Sequence, residues 1–239
     1  MKKKTLAIIV IAAALVIALS IIAIICISNR KPKPSSDNVA SDYNNILDDL
    51  YGALLSPNDE DALFDGVYSI QEAALALGDK AMDKLEYIIK DINNDGTEDL
   101  VIGCFDTDAS ASTKNEIYAA YSHDGDHATL LFEKQAQNTF ALTNTNTYYF
   151  YGSDGTNYNI IAEYEIGENG RLTCKDFYFT YPKSEAANGF AYYHNTSGKW
   201  DPEVSEELNM TAEEFEAIRD KLASKTVELS GVKVSSLKK

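Results

Sequence analysis

Residues 91–100 constrain this chain most, because they combine alternating oxygen-bearing side chains with a glycine in the sequence DINNDGTEDL. Calcium binds about six to eight oxygen atoms at roughly 2.3–2.6 Å. Gly96 permits the tight turn that brings such ligands together, since a glycine tolerates backbone angles that other residues resist. This spacing predicts a calcium loop, and its candidate ligands are the side chains of Asp91, Asn93, Asp95 and Asp99 and the backbone carbonyl of Thr97.

The segments on either side of the loop predict β-strands. An EF-hand places a bidentate glutamate at loop position 12, where this chain has Ile102. Residues 85–90 and 100–105 are rich in β-branched and aromatic side chains, which favour strands. We therefore expect the loop at the tip of a β-hairpin. The alternative interpretation is an Asp-Gly turn whose additional acids are solvated.

This stretch resembles the FG-GAP/VCBS type of repeat, whose pattern is D-x-[DN]-x-D-G-x-x-D-[LIV]. It also resembles the single hairpin of this kind in uncharacterised membrane-anchored surface proteins of Gram-positive bacteria (Firmicutes). The resemblance is strong over residues 85–105 and loose over the strands that follow. It implies calcium bound outside the cell, with ligands at Asp91, Asn93, Asp95, Thr97 and Asp99.

Residues 6–27 predict a membrane-spanning helix. The segment carries no charge, follows three lysines, and is long enough to cross a hydrocarbon core of about 30 Å. We predict an uncleaved signal anchor; the alternatives are cleavage near Ser20 and lipidation of Cys26, although Ile25 replaces the small residue of a lipobox. A short basic N-terminus before a long domain, together with the calcium loop, favours a single-pass protein whose C-terminal domain is extracellular.

The charge distribution separates residues 1–34, the membrane anchor and the start of a linker, from residues 35–239. The first part contains six basic residues and no acid, which leaves 15 of the 21 basic residues against all 37 acidic ones, a net charge of −22. So acidic a surface repels nucleic acid and anionic lipid. The remaining length suffices for one extracytoplasmic domain with its own core.

Helical patterns occur at both ends of this domain. Within a helical lead-in at residues 39–83, apolar residues recur at helical spacing after Ser41, the expected N-cap, and a second helix is predicted from the capping box of Ser69 and Glu72. Within residues 201–239, Thr211 and Glu214 form another capping box. A last strand is expected at residues 227–234 and a frayed end after it. The stripe of the first helix comprises Tyr43, Ile46, Leu47, Leu50 and Leu54.

Residues 84–200 predict a β-sheet body. Apolar and aromatic runs recur about every ten residues, separated by the turn pairs Asp124-Gly125, Asp154-Gly155 and Asn169-Gly170. A propeller requires repeated blades, and one calcium pattern is present, so we predict a single twisted antiparallel meander packed by helices. The fold class is therefore α+β. The predicted strands cover residues 116–121, 129–132, 140–142, 148–151, 158–164, 172–181 and 190–193.

The sequence favours a non-enzymatic function. It contains no Gly-x-Ser-x-Gly elbow, P-loop or His-Glu-x-x-His motif, and His123 and His127 flank a turn instead of a helix. Cys104 and Cys174 either pair or are separate. We expect a membrane-anchored, calcium-binding surface protein with an unidentified envelope or surface ligand and no nucleic acid. The alternative is a carbohydrate-binding module or secreted hydrolase that uses an aromatic face of Tyr148, Tyr149, Tyr151, Tyr178, Tyr181, Tyr192, Tyr193 and Trp200.

Overall fold

The computed structural model describes residues 36–57, 64–105, 115–153, 158–167, 170–183 and 189–237. All of them belong to the compact unit Ser35–Lys239, which is an α+β fold. The predicted membrane segment 6–27 and the turn residues 154, 155 and 169 lie outside the described residues. Within the described part, no helix has the length and hydrophobicity needed to span a membrane.

Three helices precede the sheet: α1 (Ser36–Leu55), α2 (Val67–Leu77) and the short α3 (Ala81–Lys84). The predicted stripe of α1 is confirmed, since Tyr43, Leu47, Leu50 and Leu54 are all buried. The prediction of Ser41 as its N-cap is wrong. Ser41 lies inside the helix, because Val39 is also buried and extends the same apolar stripe towards the N-terminus.

The start of α2 also differs from the prediction. Gly66 is the N-cap, with φ of 95°, and the Ser69 hydroxyl donates a hydrogen bond to the Gly66 carbonyl at 3.0 Å. Ser69 therefore does not cap the helix, and the predicted capping box with Glu72 is wrong. A glycine in the left-handed region redirects the chain three residues earlier than the serine pattern indicated. The helix ends before Gly78, as predicted.

The described strands form one antiparallel sheet in the order β10-β9-β8-β7-β6-β5-β3-β2-β1-β11, with β4 paired to β3 outside this path. All seven predicted runs and both sides of the predicted hairpin are strands. The strand bounds are β1 Glu86–Lys90, β2 Asp99–Cys104, β3 Glu116–His123, β4 Ala128–Glu133, β5 Asn138–Leu142, β6 Tyr148–Ser153, β7 Asn159–Ile166, β8 Leu172–Pro182, β9 Phe190–Asn195, β10 Glu206–Leu208 and β11 Val232–Lys233.

The two short edge strands were predicted poorly. The strand β10 was not expected, and the last strand is limited to Val232–Lys233 instead of residues 227–234. A 3-10 helix at Val234–Leu237 replaces the frayed end predicted for residues 235–237, because Val234 is buried and its N–H donates to the Leu85 carbonyl at 3.0 Å. The strand β11 pairs with Glu86 and Tyr87 of β1, and the Gly231 N–H donates to the Glu86 carboxylate at 2.8 Å.

The described helices pack on the same face of the sheet, at different places. The three N-terminal helices pack on one face of β1–β3, where Leu100 and Ile102 are buried. On the other face an aromatic core includes Phe132 and Tyr148. The helix α4 (Ala212–Ala223) packs on Tyr149 and Ile161, and its predicted capping box is present. The β1–β2 hairpin thus lies between a helix-covered face and an aromatic core.

Candidate metal centre

The predicted hairpin places residues 91–98 between two paired strands. The ladder between β1 and β2 runs from Glu86 opposite Gly103 to Lys90 opposite Asp99. The strand β2 is buried along its whole length and continues into a ladder with β3. The paired ends of β1 and β2 therefore fix the two ends of the loop, which defines the positions of its oxygen-bearing side chains.

The first half of the loop curls around Asp91. One oxygen of this carboxylate, Oδ1, accepts from the Asp95 N–H at 3.1 Å, and the other, Oδ2, accepts from the Gly96 N–H at 2.8 Å. Two residues adopt the left-handed region that this curl requires, Gly96 with φ of 86° and Asn94 with φ of 59°. The need for Gly96 at the turn is confirmed, and Asn94 is a residue type that tolerates such angles.

The next two side chains fold into the same curl. The Asn93 carbonyl oxygen accepts from the Asp95 N–H at 3.2 Å, and its amide donates to Asp95 Oδ2 at 2.9 Å. The other Asp95 oxygen accepts from the Thr97 N–H at 2.7 Å. A carboxylate oxygen that accepts one N–H retains a second acceptor site. The oxygens that shape the loop consequently keep capacity for a cation.

Asp99 lies beneath the loop, in the protein interior. Asp99 is only 1 % exposed. Its Oδ2 accepts a hydrogen bond from the Ile92 N–H at 2.9 Å, and the Ser122 side chain provides a second hydrogen bond. The pKa of this carboxyl is raised to about 6, mainly by burial; the hydrogen bonds from Ser122 and Ile92 oppose the rise, and the charges of Asp95 and Asp91 contribute to it. The carboxylate at loop position 9 is therefore costly to ionise in the absence of a cation.

Two buried tyrosines lie close to the base of the loop. The Tyr43 hydroxyl, from α1, donates to the Glu98 carbonyl at 2.6 Å. The Tyr148 hydroxyl is completely buried and has no hydrogen-bond partner among the described residues. Burial and then Asp99 raise the pKa of both phenols. Both hydroxyls therefore lie within electrostatic range of the loop's innermost carboxylate.

Among the residues that the structure describes, no basic side chain neutralises the negative charge of the loop. No described lysine or arginine forms an ion pair with Asp91, Asp95 or Asp99. Among the same residues, no three His, Cys, Asp or Glu side chains converge closely enough to hold a metal as they stand. Asp99 is hydrogen-bonded beneath the loop, which leaves Asp91 and Asp95 with amide and carbonyl oxygens at the curl.

The other metal and cysteine candidates separate in space. The His123 ring is buried and lies 3.2 Å from the Asp42 carboxylate, whereas His127 is exposed beside Asp124. Cys104 and Cys174 pack in different apolar clusters. These two cysteines therefore do not form a disulfide with each other.

The aromatic residues considered for ligand binding do not share one face of the sheet. Four of them pack in the cluster under α4, and four pack in the aromatic core on the opposite face. Trp200 lies 5.3 Å from the Tyr181 ring and 4.9 Å from Tyr158, measured between ring centroids. The first group is Tyr149, Tyr151, Tyr178 and Tyr192, and the second is Tyr148, Tyr181, Tyr193 and Trp200.

Sequence reasoning found the loop but missed the residues beneath it. Tyr43, Ser122 and Tyr148 come from α1, β3 and β6, and no spacing rule links them to residues 91–99. The register between β2 and β3 is what brings Ser122 to the loop. Leu100 pairs with Tyr121, which places Ser122 across from Asp99. That register depends on long-range pairing, which the local pattern does not encode.

Comparisons of the chain with protein-family models, with curated proteins and with solved structures found no match. A functional assignment therefore rests on the residues and geometry described above.

Proposed function

We propose that this protein is a membrane-anchored extracytoplasmic domain in which one calcium ion stabilises the β1–β2 hairpin. Its ligands are the side chains of Asp91, Asn93, Asp95 and Asp99 and the Thr97 carbonyl. The observation that carries the proposal is the curl of acidic residues around Asp91, none of which pairs with a described lysine or arginine. Such a set of hard oxygen ligands suits calcium.

The calcium in this proposal is structural. The hydrogen bonds from Asp95, Gly96 and Thr97 already hold the loop near a closed shape, so the ion orders few additional residues. About five protein ligands leave the coordination shell to be completed by water or by a bidentate carboxylate. We expect a dissociation constant of roughly 10⁻⁴ to 10⁻³ M, the range of extracellular calcium modules.

The remaining parts of the proposal come from the sequence. Residues 6–27 anchor the protein in the cell membrane in a single pass, and residues 35–239 lie outside the cell. The domain binds an unidentified envelope or surface ligand. Its net charge of −22 disfavours nucleic acid as that ligand, and no catalytic motif supports an enzymatic activity.

Calorimetric titration of the full-length protein in a non-ionic detergent tests the calcium proposal. The parent should bind about one calcium per chain, and Asp95→Ala should bind at least tenfold more weakly. Asp79→Ala, which removes an exposed acid from a 3-10 helix, should bind as the parent does. A parent that does not bind calcium, or an Asp95→Ala variant with the parent's affinity, would show that the assignment is wrong.

One observation favours a second function, carbohydrate binding or hydrolysis at an aromatic surface. Trp200, Tyr158, Tyr181 and Tyr193 are only half-buried, and Trp200 contacts both Tyr158 and Tyr181. Aromatic rings of this kind present an apolar face beside a polar group. A glycan array probed with the parent and with Trp200→Ala distinguishes the two functions, because binding lost in Trp200→Ala but retained in Asp95→Ala supports the second.

A further inference from the structure

The Tyr148 hydroxyl is unusual because it is buried and has no hydrogen-bond partner among the described residues. Buried hydroxyls are normally bonded, and one that is not destabilises the fold unless another state of the protein uses it. The ring is held firmly, since it packs edge-on against Phe132 at 4.9 Å between centroids. The position of the hydroxyl is therefore fixed by the core, and its missing partner requires an explanation.

The surroundings of Tyr148 point to the calcium loop. The residue belongs to the same apolar cluster as Ile92, inside the loop, and Val101, just after it. The Asp99 carboxylate and the Tyr43 hydroxyl, which itself donates to the Glu98 carbonyl, are electrostatic neighbours of this hydroxyl. Tyr148 is thus a buried donor within electrostatic range of the loop's innermost carboxylate.

The acceptor capacity of Asp99 allows one more donor. A carboxylate has about four acceptor sites, and Asp99 uses two of them for the Ile92 N–H and the Ser122 hydroxyl. An ion held by the loop would occupy a third. A buried ionised carboxylate is stabilised by every hydrogen bond that it accepts. A hydrogen bond at the fourth site therefore stabilises the carboxylate when calcium is bound and is not required when calcium is absent.

We propose that Tyr148 is a positioning residue of the calcium loop, whose hydroxyl donates to the Asp99 carboxylate when the loop holds calcium. This inference rests on the proposed calcium function. It adds a connection that the loop sequence does not contain, because it links the β1–β2 hairpin to β6 in the second half of the sheet. Calcium binding then stabilises β6 as well as the hairpin.

The test compares Tyr148→Phe with the parent, both full-length in a non-ionic detergent and titrated with calcium chloride in a calorimeter. We expect the substitution to weaken calcium binding about tenfold. With a chelator present, Tyr148→Phe should melt at the parent's temperature or above it, since the lost hydroxyl has no partner in that state. A purely structural role would lower the melting temperature and leave the affinity unchanged.

Tyr164→Phe is the matched control. This tyrosine packs against the same apolar cluster, but its electrostatic neighbour is the neutral Cys174 thiol instead of the Asp99 carboxylate. It should therefore retain the parent's calcium affinity. Tyr148→Phe binding within twofold of the parent, or melting several degrees lower in chelator, overturns the inference while the calcium proposal stands. A parent that does not bind calcium overturns both.

Discussion

Replacing Asp99 with asparagine removes a carboxylate that the fold buries beneath the loop, and the effect on stability should depend on pH. The folded protein raises the pKa of Asp99 to about 6 from an ordinary value of 3.8, mainly through burial. The difference corresponds to about 3 kcal/mol of unfolding free energy, at 1.36 kcal/mol for each pKa unit. The carboxamide is uncharged at every pH, so it does not incur this cost.

The direction of this pH dependence of stability follows from proton binding. The folded pKa is raised, so between about pH 4 and pH 6 the folded calcium-free protein binds more protons than the unfolded chain. The stability that Asp99 contributes is therefore fully present below about pH 4 and is lost as pH rises through 6. At pH 8 the asparagine variant should gain about 3 kcal/mol relative to the parent, compared with their difference at pH 4.

Urea denaturation in the presence of a chelator measures this difference. Trp200 is the only tryptophan in the chain and is half-buried against Tyr181, so its fluorescence reports unfolding of this domain alone. Comparing the variant with the parent at each pH cancels the other titrating groups. Asp79→Asn, at an exposed position, should give a difference that does not vary with pH. If the Asp99→Asn difference is also flat from pH 4 to 8, burial of this charge does not destabilise the fold.

Two further substitutions test the local geometry by the same measurement. Gly96→Ala should lower stability by about 1–2 kcal/mol, because Gly96 has φ of 86° in the left-handed region, whereas Gly52→Ala within α1 should not lower it. Equal effects at the two glycines would contradict the strain argument. Thr211→Ala should lower stability by about 1 kcal/mol, because it removes the hydroxyl that accepts from the Glu214 N–H at the start of α4. An unchanged variant would show that this cap is redundant.

Most of the strands could be predicted because their signals are local. The Asp124-Gly125 turn between β3 and β4 and the residues around 91–100 set where the strands start and stop, and Gly125 has the expected left-handed backbone with φ of 105°. The helix α4 was equally clear, since Thr211 and Glu214 are three residues apart. Each of these features is decided within a few residues of chain.

The features that the sequence did not reveal depend on distant partners. The strand β10 has only three residues, two of them glutamates, and it forms because it pairs with the edge strand β9. Gly66 displaced Ser69 as the N-cap because the chain turns there, beside the Tyr121 hydroxyl. The burial of Asp99 depends on Ser122 and the apolar cluster of Tyr148. In the candidate site, therefore, the sequence predicted the spacing of the candidate ligands but not the buried residues beneath the loop.

The pairing of β11 with β1 has a consequence for biosynthesis. The Glu86 carboxylate and the Gly231 N–H that joins it are 145 residues apart in the sequence. At about 5–20 residues per second, a ribosome needs roughly 7 to 30 s to produce the second partner after the first. During that interval the outer edge of the β1–β2 hairpin is open, and premature pairing with another chain competes with folding. The order of synthesis therefore makes this hairpin the last part of the sheet to be completed, although it is made first.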